Sequence, residues 1–272
     1  MIREMQIRNY SQRTITSYVS AISKLAKFHN LQAQHISRSQ FKDFLHHRLT
    51  VDQVSVSVIN QSISAFKIIQ QDVLGRDWEP VKVKRPRREQ KLPVVLSSDE
   101  MASMIRMTKN LKHRAVIATA YSTGMRRQEV QLMEPKHVDS ARMQVYVANG
   151  KGKKARYTLL SEKALELLRE YYRREHPSRY LFEPNGRKGH VLSASTLDKI
   201  VKRAATGAGI TKDISFHTLR HTFATHLLEK GVNLRLIQQF MGHSSIKTTS
   251  RYLHVARLDL AKVRSPLDEM DI

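Results

Sequence analysis

Four short stretches of the chain put cations, histidines and a tyrosine where turns should expose them. Arg126 follows Gly124-Met125 just past an expected helix end and opens a short helix, Arg126-Arg-Gln-Glu-Val130. Lys151 sits at the glycine-flanked tip of an expected hairpin, Asn149-Gly-Lys-Gly152. His217 and Arg220 are three residues apart, so they share a face near a helix start, where the helix field favours an anion. His243 follows Gly242 at another helix end, and Tyr252 lies nine residues further on. These residue types suit phosphodiester cleavage without a metal. That chemistry needs a nucleophile, cations on the non-bridging oxygens and an acid for the leaving oxygen. A guanidinium fork matches two phosphate oxygens and stays charged. A lysine among other cations has a lowered pKa and gives up its proton more readily. Histidine moves protons near neutral pH.

The elements that must carry these residues are legible in the pattern. Ser11 caps a helix whose apolar positions Ile15, Tyr18, Val19, Ile22 and Leu25 follow helical spacing. Ser37 with Gln40 forms a capping box ahead of Phe41 and Phe44. Ser55 to Val73 carries Ile59, Ile63, Phe66 and Ile69 on one face and stops at Gly75. These make a helical bundle over residues 1–81. Residues 82–93 hold six basic residues and two prolines without apolar periodicity, and read as an extended linker. Its cations Lys82, Lys84, Arg85, Arg87 and Arg88 are candidate DNA contacts. Beyond it, Ser97 and Glu100 make another capping box, and a helix runs from Lys112 to Ser122. The period then changes, with Met143–Val147 and Arg156–Leu160 reading as a β-hairpin. Helices resume over Glu162–Arg174, Ser195–Thr206, Phe216–Glu229 and Asn233–Met241, and a short one over Ile246–Val255. The fold class is mainly α with a small β-element (α+β): a helical domain, then a catalytic domain over 94–257 and a tail over 258–272.

Composition narrows the partner. The chain has 272 residues, 47 Lys+Arg against 24 Asp+Glu, and a formal charge of +23. Residues 1–90 carry net +8 and residues 91–272 net +15, so the excess is spread rather than held in one amphipathic helix. A spread excess favours a surface that wraps a polyanion over one that lies on a membrane. With no cysteine, disulfides and thiolate metal sites are excluded. No apolar run is long enough to span a bilayer, and the first residues lack a secretory apolar core. A cytoplasmic protein is expected.

Taken together, Thr123-Gly-Met-Arg-Arg-Gln-Glu-Val130, Gly150-Lys-Gly-Lys-Lys-Ala-Arg156, His217-Thr-Leu-Arg-His-Thr-Phe-Ala-Thr225 and Met241-Gly-His-Ser-Ser-Ile-Lys-Thr-Thr-Ser-Arg-Tyr252 resemble the tyrosine recombinase (phage integrase) family. Tyr10-Ser-Gln-Arg-Thr14 and Val73-Leu-Gly-Arg-Asp-Trp78 are similar to the helical core-binding domain of integron-type and Xer-like relatives. The resemblance implies a site-specific recombinase that cuts and rejoins double-stranded DNA. Tyr252 would attack the scissile phosphate and form a 3′-phosphotyrosyl link. Arg126 and Arg220 would hold the non-bridging oxygens, Lys151 would protonate the 5′-oxygen, His217 would act as general base or proton shuttle, and His243 would support the phosphate and the proton network. Glu129 would orient its neighbours. The resemblance implies no cofactor, neither metal nor ATP. It implies a homo-oligomer, a dimer per site and a tetramer on two DNA sites, with no membrane partner.

Other readings stand beside these. Met125 and Val130 replace the usual leucines. Arg127 is more polar than the family's residue there and is a candidate second phosphate contact, as are Lys153 and Lys154. Lys153 is the fallback for Lys151. The stretch from Lys151 to His217 has no room for the extra helix of integron integrases. His217, His221 and His226 could suggest zinc, but position 218 is threonine and no thiolate exists. His221 reads as a packed or hydrogen-bonded ring, and His46-His47 as solvated. Asn233–Tyr252 has helix-turn-helix proportions, which a silent DNA-binding protein would share. A type IB topoisomerase-like relaxase would use the same chemistry. The tail is either a frayed end or a segment that docks on a neighbouring protomer.

Overall fold

The computed structural model describes residues 1–78, 83–86, 92–148 and 155–257. The chain divides into two compact units, Met1–Gln90 and Lys91–Ile272. Lys82, Arg87, Arg88, Lys151, Lys153, Lys154 and the tail 258–272 lie outside the described residues.

The first unit is helical. α1 (Ile2–Ile7) is a short helix the pattern did not announce, and it buries Met5. α2 (Gln12–His29) starts where the Ser11 hydroxyl accepts the Thr14 N–H, 3.2 Å away, and stops at Asn30 in the left-handed region. α3 (Arg38–Thr50) opens on the Ser37/Gln40 capping box. α4 (Val56–Lys67) does not continue regularly to Val73: residues Ile68–Val73 form a wider π turn. A wider turn rotates less per residue, so three consecutive side chains, Ile68, Ile69 and Gln70, all reach the interior. Phe41 stacks on Phe66 at 4.0 Å, Trp78 closes against Phe66, and Ile22, Leu25, Ile59 and Ile63 fill in around them. Part of the expected linker is held on this unit. Val83 packs on its core, and Arg85 donates to the Asn60 carbonyl and the Ser64 hydroxyl, 2.9 Å each. Lys84 is exposed.

The second unit is built around α6 (Leu111–Thr123), which follows α5 (Ser98–Met107) and its Ser97/Glu100 capping box. Ala115 through Ala120 are all buried, so the middle of α6 is enclosed on every side and forms the centre of the unit. It packs on α8 (Glu162–Glu175) and α10 (Phe216–Glu229). The hairpin is present as β2 (Gln144–Val147) and β3 (Arg156–Leu159), antiparallel, with Val147 opposite Arg156. A third strand, β1 (Val138–Asp139), extends the sheet in the order β1-β2-β3. At two residues it is too short to show an alternating pattern. α7 (Arg127–Gln131), α9 (Ala194–Gly207), α11 (Leu234–Met241) and α12 (Ile246–Ser250) complete the unit. α12 is shorter than its pattern suggested, because the chain tightens into a 3₁₀ turn at Arg251–His254. Among the described residues, no helix is long and apolar enough to cross a membrane.

Candidate active site

Two glycines set up the site by ending helices. Gly124 closes α6 and Gly242 closes α11, both left-handed, at φ +60° and +59°. Neither has room for a β-carbon: at Gly124 it would strike the Phe223 ring, and at Gly242 it would lie 2.9 Å from Arg156 Cδ. A helix C-terminus leaves carbonyls without intrahelical partners and carries partial negative charge. Here three successive carbonyls at the end of α11 each take one arginine. Phe240 O accepts Arg156 Nε at 2.8 Å, Met241 O accepts Arg220 Nη2, and Gly242 O accepts Arg126 Nη2 at 2.8 Å. The Gly124 carbonyl accepts Arg220 Nη1 at 2.6 Å.

On the other side of the same three guanidiniums stands Glu129. Arg156 forks both its oxygens, at 2.8 and 2.7 Å. Arg126 reaches Oε1 with its side chain at 2.8 Å and Oε2 with its backbone N–H at 2.7 Å. Arg220 Nη1 stands 3.9 Å from Oε2. Burial alone would raise the Glu129 carboxyl, but the Arg156 fork and Arg126 overcome it and hold it at about 2. Arg220 is 2% exposed. Burial and the nearby Arg126 bring it down to about 9, so it stays charged at neutral pH. Three arginines against one carboxylate leave an excess of positive charge, fixed in place before any anion arrives.

The histidines and the tyrosine border this cluster. His243 Nε2 lies 3.2 Å from Arg220 Nη2 and its Nδ1 lies 3.0 Å from the Thr249 hydroxyl. A guanidinium only donates, so Nε2 accepts and the ring proton sits on Nδ1, donating to Thr249. Burial, then Arg220 and Arg126, push His243 down to about 3. The His243 ring stacks over Tyr252 at 6.5 Å with 14° between planes. Tyr252 rides on the 3₁₀ turn after α12 and is 1% exposed. Burial raises its phenol, and Arg220, Arg251 and Arg126 work against that rise. Its hydroxyl lies 3.0 Å from His221 Nδ1. His217 is exposed at the start of α10. The protein beneath it strips part of its hydration, and Arg220, Arg126 and Arg127 add to this, so its pKa is lowered. Asp198 steadies that helix start, accepting the Phe216 N–H at 3.3 Å and an ion pair from Arg127.

Arg126, Arg220, His217, His243 and Tyr252, spread over more than a hundred residues of sequence, therefore gather where α6 and α11 end and α10 begins, with Tyr252 brought in by the turn after α12. Lys151 and its neighbours at the hairpin tip lie outside the described residues; the last described pair below the tip is Val147 with Arg156. Arg127 spends its charge on Asp198, and Arg85 is engaged with α4. Sequence reasoning assigned no role to Arg156, Asp198 or Thr249, and read His221 as a packed or hydrogen-bonded ring without naming its partner. Arg156 had one signal: a long basic residue beginning a strand of a hairpin that leads back towards the site.

A model described as the phage integrase family matches residues 94–258, and one described as the phage integrase N-terminal SAM-like domain matches residues 1–80. The protein y4qK of Sinorhizobium fredii, which carries a provisional integrase/recombinase name, is 35% identical over 269 residues, 98% of this chain and 87% of that one. A tyrosine recombinase of Thermosipho africanus is 31% identical over 261 residues, 92% and 91% of the two chains. XerH site-specific recombinase bound to a palindromic difH substrate is similar in fold, with TM-score 0.73 and 23% identity over 92% of this chain and 78% of that one. A lambda integrase tetramer bound to a Holliday junction has TM-score 0.69 and 18% identity over 97% and 77%.

Proposed function

The chain belongs to the phage integrase family, and on that premise we propose that it is a site-specific DNA recombinase whose nucleophile is Tyr252. The observation that carries this is the pinning of Arg126 and Arg220 between Glu129 and the end of α11, beside a tyrosine bracketed by two histidines. A phosphodiester gains negative charge as it becomes five-coordinate. Cations already held in place stabilise that charge without reorganising.

In the first step the Tyr252 oxygen bonds to phosphorus and the bond to the 5′-oxygen breaks. The phenol proton leaves to His217, which partial desolvation and then its cationic neighbours keep neutral and able to accept. Lys151 supplies a proton to the departing 5′-oxygen. The products are a 3′-phosphotyrosine and a 5′-hydroxyl. Because the link keeps the energy of the original ester, the 5′-hydroxyl of a partner strand can reverse the step and exchange strands. The full reaction takes two DNA sites, a dimer on each, and so a tetramer. The lambda integrase tetramer on a Holliday junction, alike in fold, supports that arrangement.

The test is a nicked suicide duplex carrying the site that the protein selects from random-sequence DNA. Wild type should form a denaturant-resistant protein–DNA adduct and Tyr252→Phe should not. Absence of the adduct with wild type would leave a DNA-binding protein without chemistry. Relaxation of a single plasmid with no joining between two sites would instead indicate a topoisomerase-like activity.

A further inference from the structure

His221 sits one helical turn past His217 on α10, where sequence alone gives it nothing to do. Its ring meets His217 edge-on at 5.7 Å and lies 5.7 Å from the Tyr252 ring. Its Nδ1 is 3.0 Å from the Tyr252 hydroxyl, and among the described residues it is that hydroxyl's one hydrogen-bond partner. The phenol is closed off from solvent, so this single contact decides where its proton points.

A phenolic oxygen has one proton and two lone pairs. If Nδ1 accepts, the proton is held toward α10 and the lone pairs remain available to attack phosphorus. If Nδ1 donated instead, the attacking lone pair would be occupied. We propose that His221 is a positioning residue for the nucleophile: its Nδ1 accepts the Tyr252 O–H and fixes the phenolic oxygen for attack. The inference rests on the recombinase reading above.

His221 is not the final proton acceptor. Burial, then the neighbouring His217, Arg251 and Arg220, push it down to about 4. A proton placed on it would sit beside the Arg251 and Arg220 guanidiniums. It stays neutral, which keeps a lone pair on the ring to accept the phenolic O–H. The other groups facing Tyr252 agree with this. His243 stacks on the ring face, and its two nitrogens are committed to Arg220 and Thr249, so neither serves the hydroxyl.

The experiment compares three variants in single-turnover cleavage of the suicide duplex, with wild type and Tyr252→Phe alongside. His221→Asn places an amide group where Nδ1 stands. His221→Gln moves it to the Nε2 position. His221→Leu removes it. A lost hydrogen bond to a reacting group costs about tenfold to a hundredfold in rate. His221→Leu and His221→Gln should lose that much while keeping wild-type DNA affinity, and His221→Asn should regain most of it. Leu cleaving within about twofold of wild type would overturn the proposal. So would Asn losing as much as Leu, because the volume rather than the nitrogen would then matter. A second measurement needs no DNA. The ¹⁵N signal of His221 should show an unprotonated, hydrogen-bonded Nδ1 in wild type that shifts in Tyr252→Phe, and a protonated or unchanged Nδ1 would refute it. Absence of an adduct in wild type would instead count against the recombinase reading, with the ¹⁵N result still deciding the contact.

Discussion

Replacing Glu129 with glutamine tests whether one carboxylate organises the arginine cluster. Its oxygens accept four hydrogen bonds, two from Arg156 and two from Arg126, all between 2.7 and 2.8 Å. Glutamine keeps the volume but turns one oxygen into an NH₂ group. Whichever way the amide faces, two acceptors become donors pointing at donors, and the charge facing three guanidiniums is lost. The Arg156 side chain is only 7% exposed, so water does not compensate. Removing one partner of a buried ion pair costs about 3–5 kcal/mol. In a unit of this size that lowers the melting temperature by about 10 °C. The sole tryptophan, Trp78, belongs to the first unit. Urea unfolding followed by Trp fluorescence reports that unit, while far-UV circular dichroism reports both. The loss should appear in the circular dichroism transition beyond any change in fluorescence. A double-mutant cycle with Arg156→Met isolates the pair. Glu129→Gln should cost about 2 kcal/mol less once Arg156 is gone, since no buried cation remains unmatched at that position. Additive losses, or a single-variant loss under about 1 kcal/mol, would refute the view that Glu129 holds the cluster.

Three other outcomes follow from the same geometry. His221 and His243 fold neutral at about 4 and about 3 against an unfolded value of 6.5. Their contribution is therefore fully present above pH 6.5 and lost as pH falls, as the unfolded chain takes up protons that the folded chain refuses. Each should remove about 2 kcal/mol between pH 7 and 5 in urea titrations, and a flat profile would contradict their burial as neutral rings. Gly124→Ala should cost more than Gly209→Ala: both are left-handed, but a new methyl meets the Phe223 ring at one and open space at the other. The left-handed cost alone is about 1–2 kcal/mol and overpacking adds about 1–3, so equal melting temperatures would sink the argument. Arg127→Ala should slow cleavage more than it weakens DNA binding, since Arg127 braces Asp198 at the start of α10. A shallower salt dependence of binding with unchanged cleavage would return it to the role of a phosphate contact.

Helix starts were legible because capping is local. Ser11, Ser37 and Ser97 each bond a backbone N–H three residues away, and no other part of the chain decides that. The candidate reactive residue types were legible for a related reason: the proposed chemistry calls for arginine, histidine and tyrosine, and glycines mark the turns that present them. The turn at Ile68–Val73, the tightening at Arg251–His254 and the strand Val138–Asp139 were not legible, because packing overrides a few residues of pattern.

What the sequence determined by itself was the family, the two-part helical plan and the set of candidate reacting groups. The tertiary structure alone decided how those groups are held. Arg126 finds the Gly242 carbonyl 116 residues away, and Arg156 finds Glu129 across 27. The Tyr252 hydroxyl meets His221 across 31. Each contact exists only because α6 and α11 end, and α10 begins, close to one another around a shared core. A helix end exposes carbonyls and a field whatever its residues are, so local sequence cannot say which arginine will reach it. The folded unit then sets the charges: Arg156 and Arg126 keep Glu129 ionised against its burial, and burial keeps His221 and His243 neutral; neither effect belongs to any single stretch of the chain.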